Sequence, residues 1–341
     1  MSLLVTGAVQ ALATAAYAAL HSGEHVLVSI PAHDGTLPRR AELDGTGVGI
    51  DLSSFDPTAD RATAVIVVSE SRDLPRRIEE LGQQIEGLPV LLAPGGFAGA
   101  LRVQALFPSL QVAEATGFPV SGSADGDSIT LGSVKQHLPL AAADEARTED
   151  LARMWSKYLP EVEAADLRTT SLANTNHLIH PPLTLLNAVR IDSGEPFTFY
   201  RKGISPAADR LLTAVDDERR ALCAAVGADD RSGRDWMTGF YAAGGMHGDT
   251  LVECLAGYPP FAEVPGPSTL DYRYLTDDVP HGIAPWAALG RELGVPTPHL
   301  DRLLEQIATI APHLDLGHEP QALDLFLAHA APRHAGRAVT V

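Results

Sequence analysis

Within its first thirty residues the chain runs strand, glycine turn, helix, strand, and this succession constrains the fold more than any other feature. Leu3-Leu-Val-Thr6 is a short apolar run that ends at Gly7. Residues 11–21 are rich in alanine, contain no proline and stop just before Gly23, as a helix with glycine beyond its C-terminus does. His25-Val-Leu-Val-Ser-Ile30 is the next apolar run, which completes a βαβ unit. Ala64-Val-Ile-Val-Val68 and Pro89-Val-Leu-Leu-Ala93 continue the pattern, with a helical stretch over residues 73–85 between them. Strands that are apolar throughout, rather than alternating, predict a parallel sheet covered on both faces. Leu91-Leu-Ala-Pro94-Gly-Gly-Phe-Ala-Gly-Ala100 ends a strand in a glycine-rich turn, at the sheet edge where doubly wound folds bind ligands. Val112-Ala-Glu-Ala-Thr116 and Ser128-Ile-Thr-Leu-Gly132 read as later strands.

The texture changes near Leu151. Ser205-Pro206 opens a helix that runs to about Val226 and stops at Gly227, and Thr297-Pro298 caps another through Ile310. The expected architecture is α/β. A doubly wound parallel sheet occupies residues 1–150 and a mostly α-helical domain residues 151–341, the two packed tightly because no flexible linker separates them.

The chain has 341 residues, 45% of them hydrophobic, enough for a sizeable core. Its formal net charge of −18 argues against nucleic acid or an anionic membrane as a partner. Residues 3–20 resemble a signal peptide in hydropathy, yet no basic residue precedes them and Thr6, Gly7 and Gln10 interrupt them. With no membrane span and with Cys223 and Cys254 read as reduced thiols, the expectation is a cytoplasmic protein, compatible with a homodimer.

The chemistry is concentrated in two segments. Asn174-Thr-Asn-His-Leu-Ile-His180-Pro-Pro places an imidazole between amides and a proline pair. Arg273-Tyr-Leu-Thr-Asp277-Asp278-Val-Pro280 supplies a guanidinium able to hold a carboxylate and two acids, either of which could orient an imidazole. Imidazole titrates near neutral pH, where proton transfer to and from a reacting group is most useful. There is no His-Glu-x-x-His, no cysteine pair with metal-ligand spacing and no nucleophile elbow, so no metal site is expected. His177 and His281 read as solvated or structural.

These motifs resemble the opine dehydrogenase family, the octopine and nopaline dehydrogenases and their relatives. The resemblance is carried by Thr170-Ser-Leu-Ala-Asn174-Thr-Asn176 leading to His180-Pro181, by Phe197-Thr-Phe-Tyr200-Arg-Lys-Gly203, by Asp216-Asp-Glu218-Arg219, and by Arg273 through Gly282. Pro94-Gly95 and Ala113-Glu114-Ala-Thr116 match more weakly. The resemblance implies a Rossmann domain and a helical domain with the active site between them. It implies reductive condensation of an amino acid amine with a 2-oxo acid, using NADH or NADPH. His180 then matches the family's catalytic histidine, Asp278, five residues after the arginine, its partner, and Arg273 the substrate-carboxylate ligand. Asn174, Asn176 and Thr116 would orient substrate or nicotinamide, and Gly7-Ala8-Val9-Gln10 with Pro94-Gly95 would hold the dinucleotide.

The glycine loop departs from the pattern. A dinucleotide loop is Gly-x-Gly-x-x-Gly or Ala, the glycines serving the turn, the approach of backbone to pyrophosphate, and helix–strand packing. Here only Gly7 remains, with Val9 in the second position and Leu12 in the third. Val9 is expected to project toward the phosphates and Leu12 to push the helix from the sheet. No acid ends the second strand, and Asp34 follows the proline. Two functions follow. One is a reductase with a relaxed loop. The other is a redox-neutral enzyme that has lost the cofactor and uses the His–Asp–Arg cleft for imine formation, cyclisation, dehydration or proton transfer.

Overall fold

The computed structural model describes residues 2–8, 10–30 and 36–331, so the expectations placed on Val9 and Asp34 lie outside the described residues. The strands are β1 (Leu3–Gly7), β2 (Val26–Ser29), β3 (Arg40–Leu43), β4 (Thr46–Gly49), β5 (Leu52–Ser54), β6 (Ala64–Val68), β7 (Pro89–Leu92), β8 (Gln111–Ala115), β9 (Val120–Asp125), β10 (Ser128–Val134), β11 (Leu138–Ala142) and β12 (Val162–Ala164). Eight of them form one sheet in the order β12-β11-β8-β7-β6-β1-β2-β5. Its strands are parallel except where β11 meets β8.

Successive residues of the central strands enter different cores, as a sheet covered on both faces requires. Leu4, Val65, Val67, Val90 and Leu92 join one cluster, and Leu3, Val5, Ile66, Val68 and Leu91 the other. The first cluster continues into the helical half of the chain through Leu178, Leu212, Trp236 and Trp286, so the two halves share a core.

Helix α1 (Gln10–Ser22) is buried from Ala11 to Ala19 on every side, which explains its alanines. One side faces the large sheet, and the other is roofed by a second sheet of order β4-β3-β10-β9. Gly122 in β9 leaves room there for Ala13. Ser128-Ile-Thr-Leu-Gly132 therefore belongs to this second sheet, antiparallel to β9, and not to the parallel one. Its alternating burial is the signature of a sheet with one wet face. The β3–β4 hairpin turns at Asp44-Gly45, both at positive φ (53° and 74°), the Asp-Gly signal for a two-residue loop.

The large sheet also runs past residue 150. β12 pairs parallel to β11, and parallel neighbours need a crossover. The segment holding α4 (Thr148–Trp155) supplies it. Helices fill the rest of the first half as α2 (Leu74–Leu81) and α3 (Gly99–Leu106). The second half carries α5 (Leu167–Leu172), α6 (Thr175–Leu186), α7 (Ala188–Asp192), α8 (Pro206–Val226), α9 (Gly233–Tyr241), α10 (Leu251–Gly257), α11 (Arg273–Thr276), α12 (Ala284–Leu293), α13 (Pro298–Ile310) and α14 (Pro320–Ala330). Ser205 caps α8 by accepting from the Ala208 N–H. Thr297 does not cap α13 through its side chain, because its own backbone departs from the extended cap geometry.

Candidate active site

His180 sits in helix α6, not in a loop, although Pro181 and Pro182 follow it inside the same helix. Neither proline can donate a backbone hydrogen bond, so the carbonyls four residues earlier lose their helical partners. Burial of the whole turn from Leu178 to Thr184 holds it in place instead. Asn174 caps this helix by accepting from the Asn176 N–H at 3.1 Å, which orients its amide nitrogen toward His177. Asn174 and Asn176 thus work at the helix start, with Asn176 partly exposed.

Asp278 comes from the far side of the helical half. After α11 the ladder slips into a π turn over Val279–Ile283, where Pro280 has no N–H to donate. The slip turns Asp278 inward, 98 residues from His180 in sequence and 2.7 Å from it in space. Gly282 is required in this turn, because a Cβ there would overlap the ring of His177.

The hydrogen bonds assign the tautomer. Asp278 Oδ2 accepts from Nδ1–H of His180, which leaves the Nε2 lone pair to accept from the Tyr200 hydroxyl at 2.9 Å. Burial lowers the His180 pKa, with the Asp278 carboxylate acting against it, so the resting ring is neutral. Asp278 is held below the usual carboxylate range: burial opposes its charge, but His180 and Arg273 outweigh burial. The Tyr200 phenol is raised well above 10 by burial and stays protonated. Tyr274 stacks on the imidazole at 3.8 Å between ring centres and fixes its plane.

His177 lies one turn before His180 and is neither solvated nor a partner of comparable reach. Its Nε2 accepts from the Asn174 amide at 3.1 Å and stands 3.7 Å from Asp278. Burial pushes its pKa down to about 4. His281 is likewise buried, its pKa pushed down to about 3 by burial and then by Arg102, so of the two readings, solvated or structural, both histidines take the structural one. Asp277 caps a segment other than its own helix. Its Oδ1 accepts from the Arg72 N–H at 3.2 Å, just past β6, and burial with Asp278 pushes its carboxyl up to about 7.

Arg273 stands beside this pair. Its guanidinium carbon lies 5.1 Å from the Phe118 ring centre and 5.7 Å from that of Tyr274, and its Nε is buried without a partner. Burial works against its charge, but Asp278 and Asp277 outweigh that and keep it protonated. No carboxylate oxygen forms an ion pair with it among the described residues, which leaves a planar fork open to a carboxylate ligand. Thr116, at the end of β8, has a buried hydroxyl that is also without a partner. His180 and Asp278 are 4% and 1% exposed, so the pair is closed from bulk water. A cleft of about 490 Å³ opens beside the π turn, lined by Arg72, Thr276, Pro280, His281 and Glu319 among others.

The glycine-loop residues are elsewhere on the sheet edge. Gly7 turns at φ +137°, and a Cβ there would overlap the carbonyl oxygen of Val68. The Ala8 N–H donates to Val68 O at 2.9 Å, and Gln10 is exposed at the start of α1. Leu12 does not push α1 away. It is 2% exposed, within the core that α1 shares with both sheets. No metal-binding group of His, Cys, Asp and Glu occurs among the described residues.

Pro94 and Gly95 are fully buried, and a Cβ at Gly95 would collide with Glu114. Glu114 ties the sheet edge to two helices. Its Oε2 accepts from the Ala100 N–H at 2.7 Å, in the first turn of α3, and its Oε1 from the Thr170 hydroxyl at 2.6 Å in α5. It thus joins the sheet to both halves of the chain. Burial pushes this carboxyl up to about 7 from 4.5. A folded-state pKa above the unfolded one contributes stability that is full below about pH 4.5 and is lost as pH rises to about 7. Glu114→Gln should therefore lose less stability than the parent between about pH 5 and about pH 8, while Glu114→Ala should cost about 2–4 kcal/mol. Urea unfolding at the two pH values checks this, and parallel pH dependences for parent and Gln variant would exclude it.

Comparison with known proteins agrees with this architecture. Residues 163–311 match the family described as NAD/NADP octopine/nopaline dehydrogenase, alpha-helical domain. An opine dehydrogenase of Arthrobacter sp. (strain 1C) is 32% identical over 233 residues, which are 66% of this chain and 64% of that relative. The match thus spans slightly less than two thirds of the relative's length. Among solved structures, octopine dehydrogenase in complex with NADH and agmatine superposes with a TM-score of 0.76 at 16% identity, covering 98% of this chain and 99% of that one. Yersinopine dehydrogenase with NADP+ bound gives 0.63 at 16% identity, over 98% and 93% of the two chains. The structures share the fold, and in sequence the chain is similar to the opine dehydrogenases, both over residues 163–311 and to the Arthrobacter relative.

Proposed function

We propose that this protein condenses the amine of an amino acid with a 2-oxo acid and reduces the imine, drawing on NADH or NADPH. One observation carries the reading: a neutral, buried imidazole oriented by an ionised carboxylate lies beside a half-buried guanidinium that makes no ion pair with any described residue. The Arthrobacter relative supports the reaction class. The NADH and NADP+ complexes of the structural neighbours support the cofactor class.

The sheet edge fits a dinucleotide in its main elements. Gly7 makes the turn into α1, whose first turn holds no acid. The buried hydroxyls of Ser71 and Thr116, beyond β6 and β8, lack partners among the described residues. Gly7 and Ala8 would shape the turn and Gln10, at the start of α1, would lie beside the phosphates, with Pro94 and Gly95 shaping the edge beyond β7. Because the Ala8 N–H is committed to Val68, the phosphate donors must come from the helix turn itself. When bound, the cofactor supplies hydride to the imine carbon.

The chain's own residues do the rest. Arg273 pairs with a substrate carboxylate and sets the carbonyl carbon over His180. As the amine attacks, its proton passes to Nε2 of His180, and Asp278 stabilises the imidazolium. That proton goes to the alkoxide oxygen to give the carbinolamine, and the second amine proton follows by the same route, so the oxygen leaves as water and the neutral imine forms. Tyr200, hydrogen-bonded to Nε2, is placed to relay that proton. Burial keeps the imine from hydrolysis.

We further take residues 1–150 as the cofactor domain and 151–341 as the substrate domain of a cytoplasmic enzyme. A net charge of −18 supports the absence of nucleic-acid partners. No described helix is long and apolar enough to cross a membrane.

A titration with NADH and NADPH, followed by cofactor oxidation with pyruvate and a panel of amino acids, tests the proposal. Binding near micromolar, about −8 kcal/mol, and amine-dependent oxidation are expected. No saturation by millimolar cofactor, about −4 kcal/mol, would sink the reductase and leave the redox-neutral reading.

A further inference from the structure

Lys135 follows β10 and is 4% exposed. Its ammonium has no hydrogen bond or ion pair with any described residue, and its one close neighbour of note is the Phe240 ring at 4.3 Å from the centroid. A lysine buried this far is rare unless it is paired. The chain carries 43 acidic residues against 25 basic ones, yet among the described residues no acid pairs with it.

The surroundings are built to hold the ammonium where it is. A Cβ on Gly117 would overlap Nζ, so the glycine leaves the space the ammonium occupies. Gly117 lies between Thr116, whose buried hydroxyl has no partner, and Phe118, whose ring lies under Arg273. The backbone N–H of Lys135 donates to Pro119 O, and that of Gln136 to Phe240 O, which ties the segment to both α9 and the 116–119 turn. The charges of Lys135 and Arg273 both act on the His180 ring. Burial alone pushes the lysine down to about 7, so an anion arriving beside it would restore its charge.

Building on the reductase reading, we propose that Lys135 is a second carboxylate-binding residue of this site, which with Arg273 selects ligands carrying two carboxylates flanking an amine. The condensation of an amino acid with a 2-oxo acid yields such a compound, and one guanidinium satisfies only half of it. Arg273 takes one carboxylate in its planar fork, and Lys135, with the Thr116 hydroxyl, takes the other.

The test is equilibrium binding, with and without saturating NADPH, of iminodiacetate and of its monoamide. Binding without turnover keeps the outcome separate from that of the reductase proposal. The parent should bind the diacid at least about ten-fold more tightly than the monoamide. Lys135→Met should erase that preference by weakening the diacid about ten-fold or more and sparing the monoamide, and Lys135→Arg should keep part of it. Arg273→Met should weaken both probes. Retained monoamide binding in Lys135→Met shows that the variant is folded. The proposal is overturned if the parent does not distinguish the probes or binds neither, if Lys135→Met keeps the preference, or if it loses both probes equally.

Discussion

His180→Ala should lower kcat/KM of the proposed condensation by about 10²–10⁴-fold, the range that positioned proton transfer contributes. The imidazole is the only neutral base oriented by an ionised acid in the described site, and Nε2 is its working atom. Asp278→Asn should cause a loss of the same order with little change in KM, because an amide can donate to Nδ1 and reverse the tautomer. The pH profile gives a second readout. Burial lowers the His180 pKa, so the base is present above that value and activity falls as pH drops through it. The acid limb should therefore lie below 6.5, the ordinary value for histidine. Steady-state kinetics of both variants checks this, and activity within about ten-fold of the parent in His180→Ala would remove the residue from the mechanism.

Gly7→Ala should destabilise the fold by about 3 kcal/mol or more, from a forbidden backbone angle and a clash with backbone rather than with a flexible side chain. The added methyl would overlap the Val68 carbonyl, which also holds the Ala8 N–H at 2.9 Å, so the β1–β6 pairing must open to relieve it. The loss should appear as a lower urea midpoint and, in the surviving folded fraction, as weaker NAD(P)H binding. An unchanged midpoint would mean that the turn relaxes freely and that Gly7 is not what shapes the loop.

Local signals in the sequence carried most of the architecture. Apolar runs at residues 3–6, 64–68 and 89–93 are long enough for buried strands and too uniform for one wet face, so the parallel sheet follows from them. Glycines at 23 and 227 end helices where they should. The short second sheet leaves little trace in the sequence, because β3, β4 and β9 carry little apolar pattern. The Asp44-Gly45 turn was the signal that could have revealed it.

The sequence by itself also determined which side chains could do the chemistry, since an imidazole beside a proline pair and an arginine–acid segment are recognisable as types at a spacing. Their assembly was decided by the tertiary structure. The family resemblance pointed to Asp278 rather than Asp277, and packing supplies the physical reason, a π slip that sends one acid to His180 and the other to the turn after β6. Only the folded core shows Leu12 buried where glycine or alanine was expected. Lys135, Tyr200 and Glu114 gained their settings the same way, because burial and partnerlessness are properties of a three-dimensional environment that no residue spacing records.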